Sequence, residues 1–156
     1  MSGRSSPKRL RLFNNPWLEK LTVISLSFFI ALWAVLLPAL AVIGFYVAPT
    51  IWAVPLVVAG LIVWTLTEYA LHRYVFHFEP LSPWLQQMIF VIHANHHADA
   101  NDPLRNLMPP IVSIPVGLVV WALSIWALGL QGTWFLLGFM TGYVTYDLVH
   151  FSCHQF

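Results

Sequence analysis

Two long stretches without a charged residue constrain this chain more than any other feature of its sequence. No Asp, Glu, Lys or Arg occurs in the 47 residues between Lys20 and Glu68, or in the 41 residues between Arg105 and Asp147. A helix needs roughly 20 residues to cross the hydrocarbon core of a bilayer, so each stretch has room for two crossings and a turn. With 59% hydrophobic residues and a mean hydropathy of +0.74, the sequence predicts an all-α integral membrane protein with four transmembrane helices arranged as two hairpins.

The distribution of charge predicts how these helices are oriented. Residues 1–16 form a polar basic segment, and residues 17–156 are predicted to form one membrane domain. In that domain, hairpins over 21–71 and 111–156 flank a histidine-rich segment over 72–110. Four basic residues of this first segment precede the first apolar run, which predicts a cytoplasmic N-terminus. Four crossings then place the C-terminus and the histidine-rich segment on the cytoplasmic side as well. The histidine-rich segment is predicted to form a cap there.

The predicted crossings run over about 21–44, 51–72, 111–130 and 133–151, with a bend at Pro38 and turns at 45–50 and at Gln131–Gly132. The first apolar run spans 24 residues without a small-residue cleavage site, so it is predicted to be a retained helix and not a signal peptide. The formal net charge is only +1, so the sequence does not indicate a basic surface that would bind nucleic acid. The single Cys153 cannot form an internal disulfide.

All seven histidines fall in three clusters near the predicted helix ends. They form the patterns HxxxxH, HxxHH and HxxxH: His72, His77, His93, His96, His97, His150 and His154. Spacings of three and four residues place imidazoles on one face of a helix. A spacing of five separates two side chains by about 140° on a regular helix. The first cluster therefore predicts a distorted helix end or a junction with a loop.

These clusters are typical of a metal site. Neutral imidazole binds zinc, copper, nickel and iron, and seven imidazoles exceed what one ion uses, so two metals are predicted if all take part. Glu68 lies four residues before His72, and Asp147 lies three before His150. A carboxylate that accepts the other ring N–H orients such a ligand; the alternative for both acids is an ordinary helix-end charge. For Arg73 and Arg105, lipid-headgroup contact or topology is favoured over catalysis.

Three stretches of the sequence, LHRYVFH, HANHHADANDPLRNLMPP and GYVTYDLVHFSCH, resemble the fatty acid hydroxylase superfamily, which includes sterol desaturases and carotenoid hydroxylases. The surrounding EYALHR, FHFEP, DPLRNLMPP and YDLVH are similar to its fatty acid 2-hydroxylase branch. The resemblance covers about residues 64–156. It implies a four-helix membrane fold with a cytoplasmic cap and a centre of two iron ions, with zinc as an alternative in purified protein.

Carried over by position, the resemblance makes all seven histidines metal ligands and the metal centre itself the catalyst. It implies O2-dependent 2-hydroxylation of a fatty acid or sphingolipid N-acyl chain, with a membrane lipid as substrate. Some relatives carry a cytochrome b5 domain, which the 16 polar residues here cannot form. We therefore expect a separate electron donor of cytochrome b5 or ferredoxin type. The expected location is the endoplasmic reticulum or a bacterial inner membrane.

One departure from the family pattern concerns the end of the sequence. The pattern continues to a second HxxHH with three more ligands, whereas this sequence ends at Phe156. We therefore expect the chain to be incomplete at its C-terminus, with one metal fully ligated and the other under-ligated. Two other functions stay open: hydroxylation or desaturation of another lipid, such as a sterol or carotenoid, and a non-catalytic metal-binding or truncated inactive membrane protein.

Overall fold

The computed structural model describes residues 12–91 and 102–156. This part of the chain is helical and contains no β-strand. Its helices are α1 (Pro16–Leu21), α2 (Leu26–Val47), α3 (Ala53–Ala70), α4 (Pro83–Ile89), α5 (Pro110–Leu128) and α6 (Gly132–Gln155). A π-helix, Leu71–Phe76, continues α3 directly, and a 3-10 turn, Gly129–Gln131, joins α5 to α6. The second histidine cluster, His93, His96 and His97, lies outside the described residues.

Three helical segments are long and apolar enough to cross a membrane, judged by length and composition: Leu26–Val47, Ala53–Phe76 and Pro110–Gln155. The third has 46 residues, more than twice what one crossing needs, and it consists of α5 and α6. The predicted all-helical fold is therefore confirmed for the described residues, and the apolar segments agree with an integral membrane protein. The number of crossings stays a prediction.

Several helix boundaries differ from the prediction. The first long helix begins at Leu26 and not near Leu21, because Ser25 caps it by accepting the Phe28 amide at 3.2 Å. The regular part of the second helix ends at Ala70, close to the predicted end near residue 72, and a π-helix then carries the chain on to Phe76. The turn between α5 and α6 is centred on Gly129, whose φ of 61° favours glycine, and Gln131–Gly132 already leads into α6.

The core of the described fold lies around α6, which packs against α2, α3 and α5. Tyr143 of α6 meets Trp33 of α2 and Trp64 of α3 edge to face, each with ring centroids 5.4 Å apart. Edge-to-face pairs of this kind stabilise a core beyond the area they bury. Trp134 of α6 is 4% exposed and donates its indole N–H to the Ala48 carbonyl at 2.8 Å.

Helices α3 and α6 approach each other so closely that their backbones touch. A Cβ atom added to Gly138 would lie 1.9 Å from the Val57 carbonyl oxygen, and one added to Gly60 would lie 2.1 Å from that of Phe135. Small residues allow such close contact between helices in membranes. Because α3 leads to the first histidine cluster and α6 carries the third, this contact sets the position of one cluster relative to the other.

Candidate metal centre

The first histidine pair is brought together by the π-helix that continues α3. Hydrogen bonds in a π-helix join residues i and i+5, so side chains five residues apart fall on nearly the same side. The Nε2 atoms of His72 and His77 are accordingly 3.2 Å apart. The structure therefore contains the distorted helix end that the five-residue spacing predicted.

The distance between these two nitrogens suits two ligands of one metal ion. Ring nitrogens bound to zinc at about 2.0 to 2.1 Å lie about 2.9 Å apart at a right angle and about 3.4 Å apart at the tetrahedral angle. The observed 3.2 Å falls between these values. The pair His72 and His77 thus fits a metal ion, while its role as a ligand pair stays a prediction.

Glu68 lies on the opposite side of the His72 ring from His77. Its Oε1 atom is 3.9 Å from His72 Nδ1, which is longer than a hydrogen bond. The carboxylate nevertheless faces the ring nitrogen that does not point at His77. This is the placement needed to orient His72 through its second nitrogen, so Glu68 remains the predicted orienting residue.

The third histidine cluster lies in the last two turns of α6. The rings of His150 and His154 meet edge to face with centroids 4.6 Å apart, as expected for a spacing of four residues on a helix. One turn earlier, the ring of Tyr146 stacks on His150 at 5.7 Å with an angle of 20° between the planes. Tyr146 was not among the predicted site residues, although its i−4 spacing from His150 was visible in the sequence.

His72 and His150 border two cavities that share Glu68 and Tyr146. Glu68 and Tyr146 border a small cavity of about 50 Å³ together with His150. The same two residues border a much larger cavity of about 980 Å³ together with His72. Val91, two residues before His93 in the sequence, also lines the small cavity. Val91 is the last described residue before residue 102, so the described chain stops here beside His150.

The described histidines do not form a complete site by themselves. Within residues 12–91 and 102–156, no three His, Cys, Asp or Glu side chains lie close enough together to hold a metal ion. The three histidines of the second cluster lie outside those ranges. The seven-histidine ligand set and the two-metal centre therefore stay predictions.

Asp147 has a partner that the sequence did not indicate. It is 6% exposed, and its Oδ2 atom accepts the Met108 amide at 2.9 Å. The Tyr143 hydroxyl donates to the carbonyl oxygen of the same residue, Met108, at 3.3 Å. Both groups thus bind the backbone just before α5 and fix the segment that follows the second histidine cluster. The proposed contact of Asp147 with a histidine ligand stays a prediction.

The large cavity lies between α3 and α6 and is mainly apolar. It extends from Leu61 and Gly142 to His72 and His77. Thr65 also lines it, but its hydroxyl donates to its own helix, to the Leu61 carbonyl at 3.0 Å. The cavity therefore combines a mainly apolar lining with the imidazoles of His72 and His77 at one end.

A comparison with known protein families covers the region that contains the histidine patterns. The family model described as fatty acid hydroxylase matches residues 57–156, which include α3, α5, α6 and all seven histidines. This chain belongs to the fatty acid hydroxylase family. The family resemblance inferred from the histidine patterns is therefore confirmed.

Several relatives of this fatty acid hydroxylase carry more specific names. A dihydroceramide fatty acyl 2-hydroxylase of Arabidopsis thaliana is 38% identical over 104 residues, covering 65% of this chain and 44% of that protein. The human fatty acid 2-hydroxylase is 33% identical, with 61% of this chain and 26% of the relative covered. A ceramide very long chain fatty acid hydroxylase of Saccharomyces cerevisiae is 38% identical, with 62% and 26% covered. The chain spans less than half the length of these relatives.

The fold of this family member also matches a solved structure. Full-length Scs7p, of which only the hydroxylase domain is visible, superposes with a TM-score of 0.80 at 30% identity. The match covers 91% of this chain and 55% of the Scs7p chain. The helical arrangement described above is therefore similar to that of the visible domain of Scs7p.

Proposed function

We propose that this chain hydroxylates C2 of a fatty acyl chain, either free or N-linked in a sphingolipid, using O2. The observation that carries this proposal is the cavity of about 980 Å³ that ends at His72 and His77. The family match and the names of the relatives, which include dihydroceramide and fatty acid 2-hydroxylases, support it. C2 lies next to the lipid headgroup, so the reacting atom belongs near the polar end of such a cavity.

The size and lining of the cavity suit an acyl chain. The positions from Leu61 to His72 span about 16 Å along a helix at 1.5 Å per residue. Thr65 and Thr145 lie on opposite walls, and both bond their own helices, at 3.0 Å and 2.8 Å. Both hydroxyls thus already donate within their own helices, so the walls beside Thr65 and Thr145 offer no unpaired hydroxyl donor to a hydrocarbon chain. Apolar lining with a few polar groups at one end is typical of ligand sites.

The cavity is also placed where a membrane lipid can enter. Thr65 and Thr145 are both exposed on the outer surface of the α3–α6 pair. We propose four crossings, formed by α2, α3, α5 and α6, with both termini cytoplasmic. In that arrangement an acyl chain enters sideways from the bilayer, and the histidines lie at its cytoplasmic boundary.

The metal centre is proposed to consist of two iron ions held by all seven histidines, with zinc as an alternative in purified protein. Bound iron would supply the activation of O2 and the removal of hydrogen from C2. His72 and His77 would hold one part of the centre, and His150 and His154 another. Glu68 would accept the second ring N–H of His72, and the cavity walls would exclude water and keep C2 in place.

The reaction requires a partner that supplies electrons. Inserting one oxygen atom into a C–H bond consumes one O2, two electrons and two protons, and it forms the hydroxyl group and one water molecule. These two electrons must be supplied again at every turnover. We therefore propose a separate electron-transfer protein of cytochrome b5 or ferredoxin type as partner.

The proposal is tested by lipid analysis of membranes from a host that makes this chain. We expect 2-hydroxy acyl species to appear with the wild-type chain and to disappear with His72→Ala or His93→Ala, because each substitution removes a predicted ligand. Glu79→Gln is the matched control, since Glu79 is exposed in the loop after His77 and borders neither cavity.

The outcomes separate this proposal from its alternatives. Hydroxylated or desaturated sterols or carotenoids without 2-hydroxy acyl product would assign the same centre to a different lipid. Metal bound without O2-dependent product in the presence of a reductant would identify a non-catalytic metal-binding protein. Unchanged 2-hydroxy product in both histidine variants would refute the proposed role of these clusters.

A further inference from the structure

Residues 12–24, here called the N-terminal strap, lie against the segment that follows the second histidine cluster. The Ile24 amide donates to the Leu104 carbonyl at 2.9 Å. Within the strap, Glu19 Oε2 accepts the amides of Leu12 and Phe13 at 3.0 and 2.9 Å. The strap precedes residues 57–156, which the family model matches. Its contact with Leu104 is thus a contact between the family domain and the sequence in front of it.

The centre of this contact is a buried arginine. The Arg105 side chain is 2% exposed, and its Nη2 forms an ion pair with Glu19 Oε1. Its Nε is 3.6 Å from Asp102 Oδ2, beyond an ordinary hydrogen bond. Its Nη1 is buried and has no hydrogen-bond partner among the described residues. A buried guanidinium requires a partner of opposite charge, and Glu19 supplies the hydrogen-bonded one in this part of the chain.

Arg105 lies between the strap and the candidate metal centre. It follows His97 by eight residues and borders the small cavity together with Glu68 and His150. Three residues further on, the backbone of Met108 is bound by Asp147 of α6. The segment after the second histidine cluster is therefore held from two sides, by α6 and by the strap.

We propose that Glu19 is a positioning residue for residues 105–108, which border the small cavity beside His150, and that it acts through Arg105. Glu19 fixes the Arg105 guanidinium, and Arg105 fixes the backbone that leads to Met108. The strap thereby supports the candidate metal centre from outside the residues that the family model matches. This inference rests on the metal-dependent function proposed above, but it concerns metal retention and not the identity of the lipid.

The test measures how firmly the full chain holds zinc. Purified protein in detergent is loaded with Zn²⁺, and the release of zinc to a chelator is followed over time. We expect Glu19→Gln to lose zinc about 10-fold faster than the wild type, the size of effect seen when groups that orient metal ligands are removed. Lys20→Gln is the matched control on the same helix, because Lys20 contacts the Trp17 ring at 5.3 Å and does not pair with Arg105.

A variant that is merely unstable must be distinguished from one that holds metal poorly. Gly44→Ala serves this purpose, because its Cβ would lie 3.0 Å from the Trp134 ring and Gly44 lies in α2, which carries none of the histidines. Zinc retention in Gly44→Ala at an equal loss of thermal stability would support the proposal. Equally fast release from Gly44→Ala, or wild-type retention in Glu19→Gln, would overturn it.

Two further measurements keep the test of Glu19 valid if Glu19→Gln does not fold or if the chain forms no 2-hydroxy lipid. If Glu19→Gln does not fold, Glu19→Asp replaces it; faster zinc release from the folded Glu19→Asp variant supports the proposal, and wild-type retention overturns it. If the wild type binds zinc but forms no 2-hydroxy lipid, the proposed function fails while the strap inference is still tested by the release rates. If 2-hydroxy lipid forms but Glu19→Gln releases zinc normally, only the strap inference fails.

Discussion

The close contact between α3 and α6 gives the sharpest prediction, because it lies far from every histidine. The Cβ of a Gly138→Ala variant would lie 1.9 Å from the Val57 carbonyl oxygen, whereas ordinary contact begins at 3.4 Å. The two helices must therefore separate by about 1.5 Å at this point, since neither backbone atom can rotate away. Overpacking of this kind costs about 1 to 3 kcal/mol of stability.

The separation is expected to disturb the metal centre more than the fold. Glu68 is on α3 and His150 is on α6, so opening the helix pair moves one relative to the other by on the order of 1 Å. A misplacement of that size lowers a catalytic rate on the order of 100-fold. We therefore expect Gly138→Ala to insert and fold, with a lower unfolding temperature, and to lose most 2-hydroxy product.

The assay compares product per folded protein for Gly138→Ala and a matched control, Gly117→Ala. The added Cβ of the control meets the flexible end of Met140 at 3.3 Å, so only a side chain has to move. Wild-type product from folded Gly138→Ala would refute the reasoning that this helix contact sets the geometry of the centre. An equal loss of product in Gly117→Ala would refute it as well.

Two further predictions concern the segment that follows the second histidine cluster. Asp147→Ala leaves the buried Met108 amide without its acceptor, so we expect a loss of about 1 to 3 kcal/mol of stability, measured by thermal unfolding in detergent, with Asp147→Asn retaining most of it. Burial opposes ionisation of Glu19, but the Phe13 amide and the Arg105 guanidinium outweigh it and hold the pKa of Glu19 below its usual value of 4.5. Because this pKa is lower in the folded state, the stabilisation by ionised Glu19 is complete above about pH 5 and is lost as pH falls through the folded pKa. We therefore expect the difference in unfolding temperature between wild type and Glu19→Gln to shrink in acid. A difference that stays constant down to pH 3, roughly one unit below the usual pKa, would contradict this.

These results also show which parts of the site could be read from the sequence. The spacing of His72 and His77 predicted a distorted helix end, and the π-helix over Leu71–Phe76 provides it. The spacing of His150 and His154 likewise predicted neighbouring rings, which lie 4.6 Å apart. Such contacts are local, because residues within one or two helical turns are positioned by the helix itself.

Contacts between distant parts of the chain could not be read in this way. The expected contact of Asp147 with His150 stays a prediction, but the spacing did not indicate that its carboxylate also binds the Met108 amide, 39 residues away in the sequence. Arg105 was assigned to topology or headgroup contact, but it is buried against Glu19, 86 residues away. The spacing of residues along one helix predicts which side chains are neighbours on that helix. It does not predict which other segment of the chain packs against them.

The sequence alone determined that this chain is a helical membrane protein with clustered histidines, because hydrophobic length and helical spacing are properties of each segment by itself. Only the tertiary structure decided that α3 and α6 touch at Gly60 and Gly138, that a cavity of about 980 Å³ opens between them, and that the strap reaches Arg105. These features depend on which helix faces which. That choice is made by close packing and by burial of charge, which act between segments far apart in the chain.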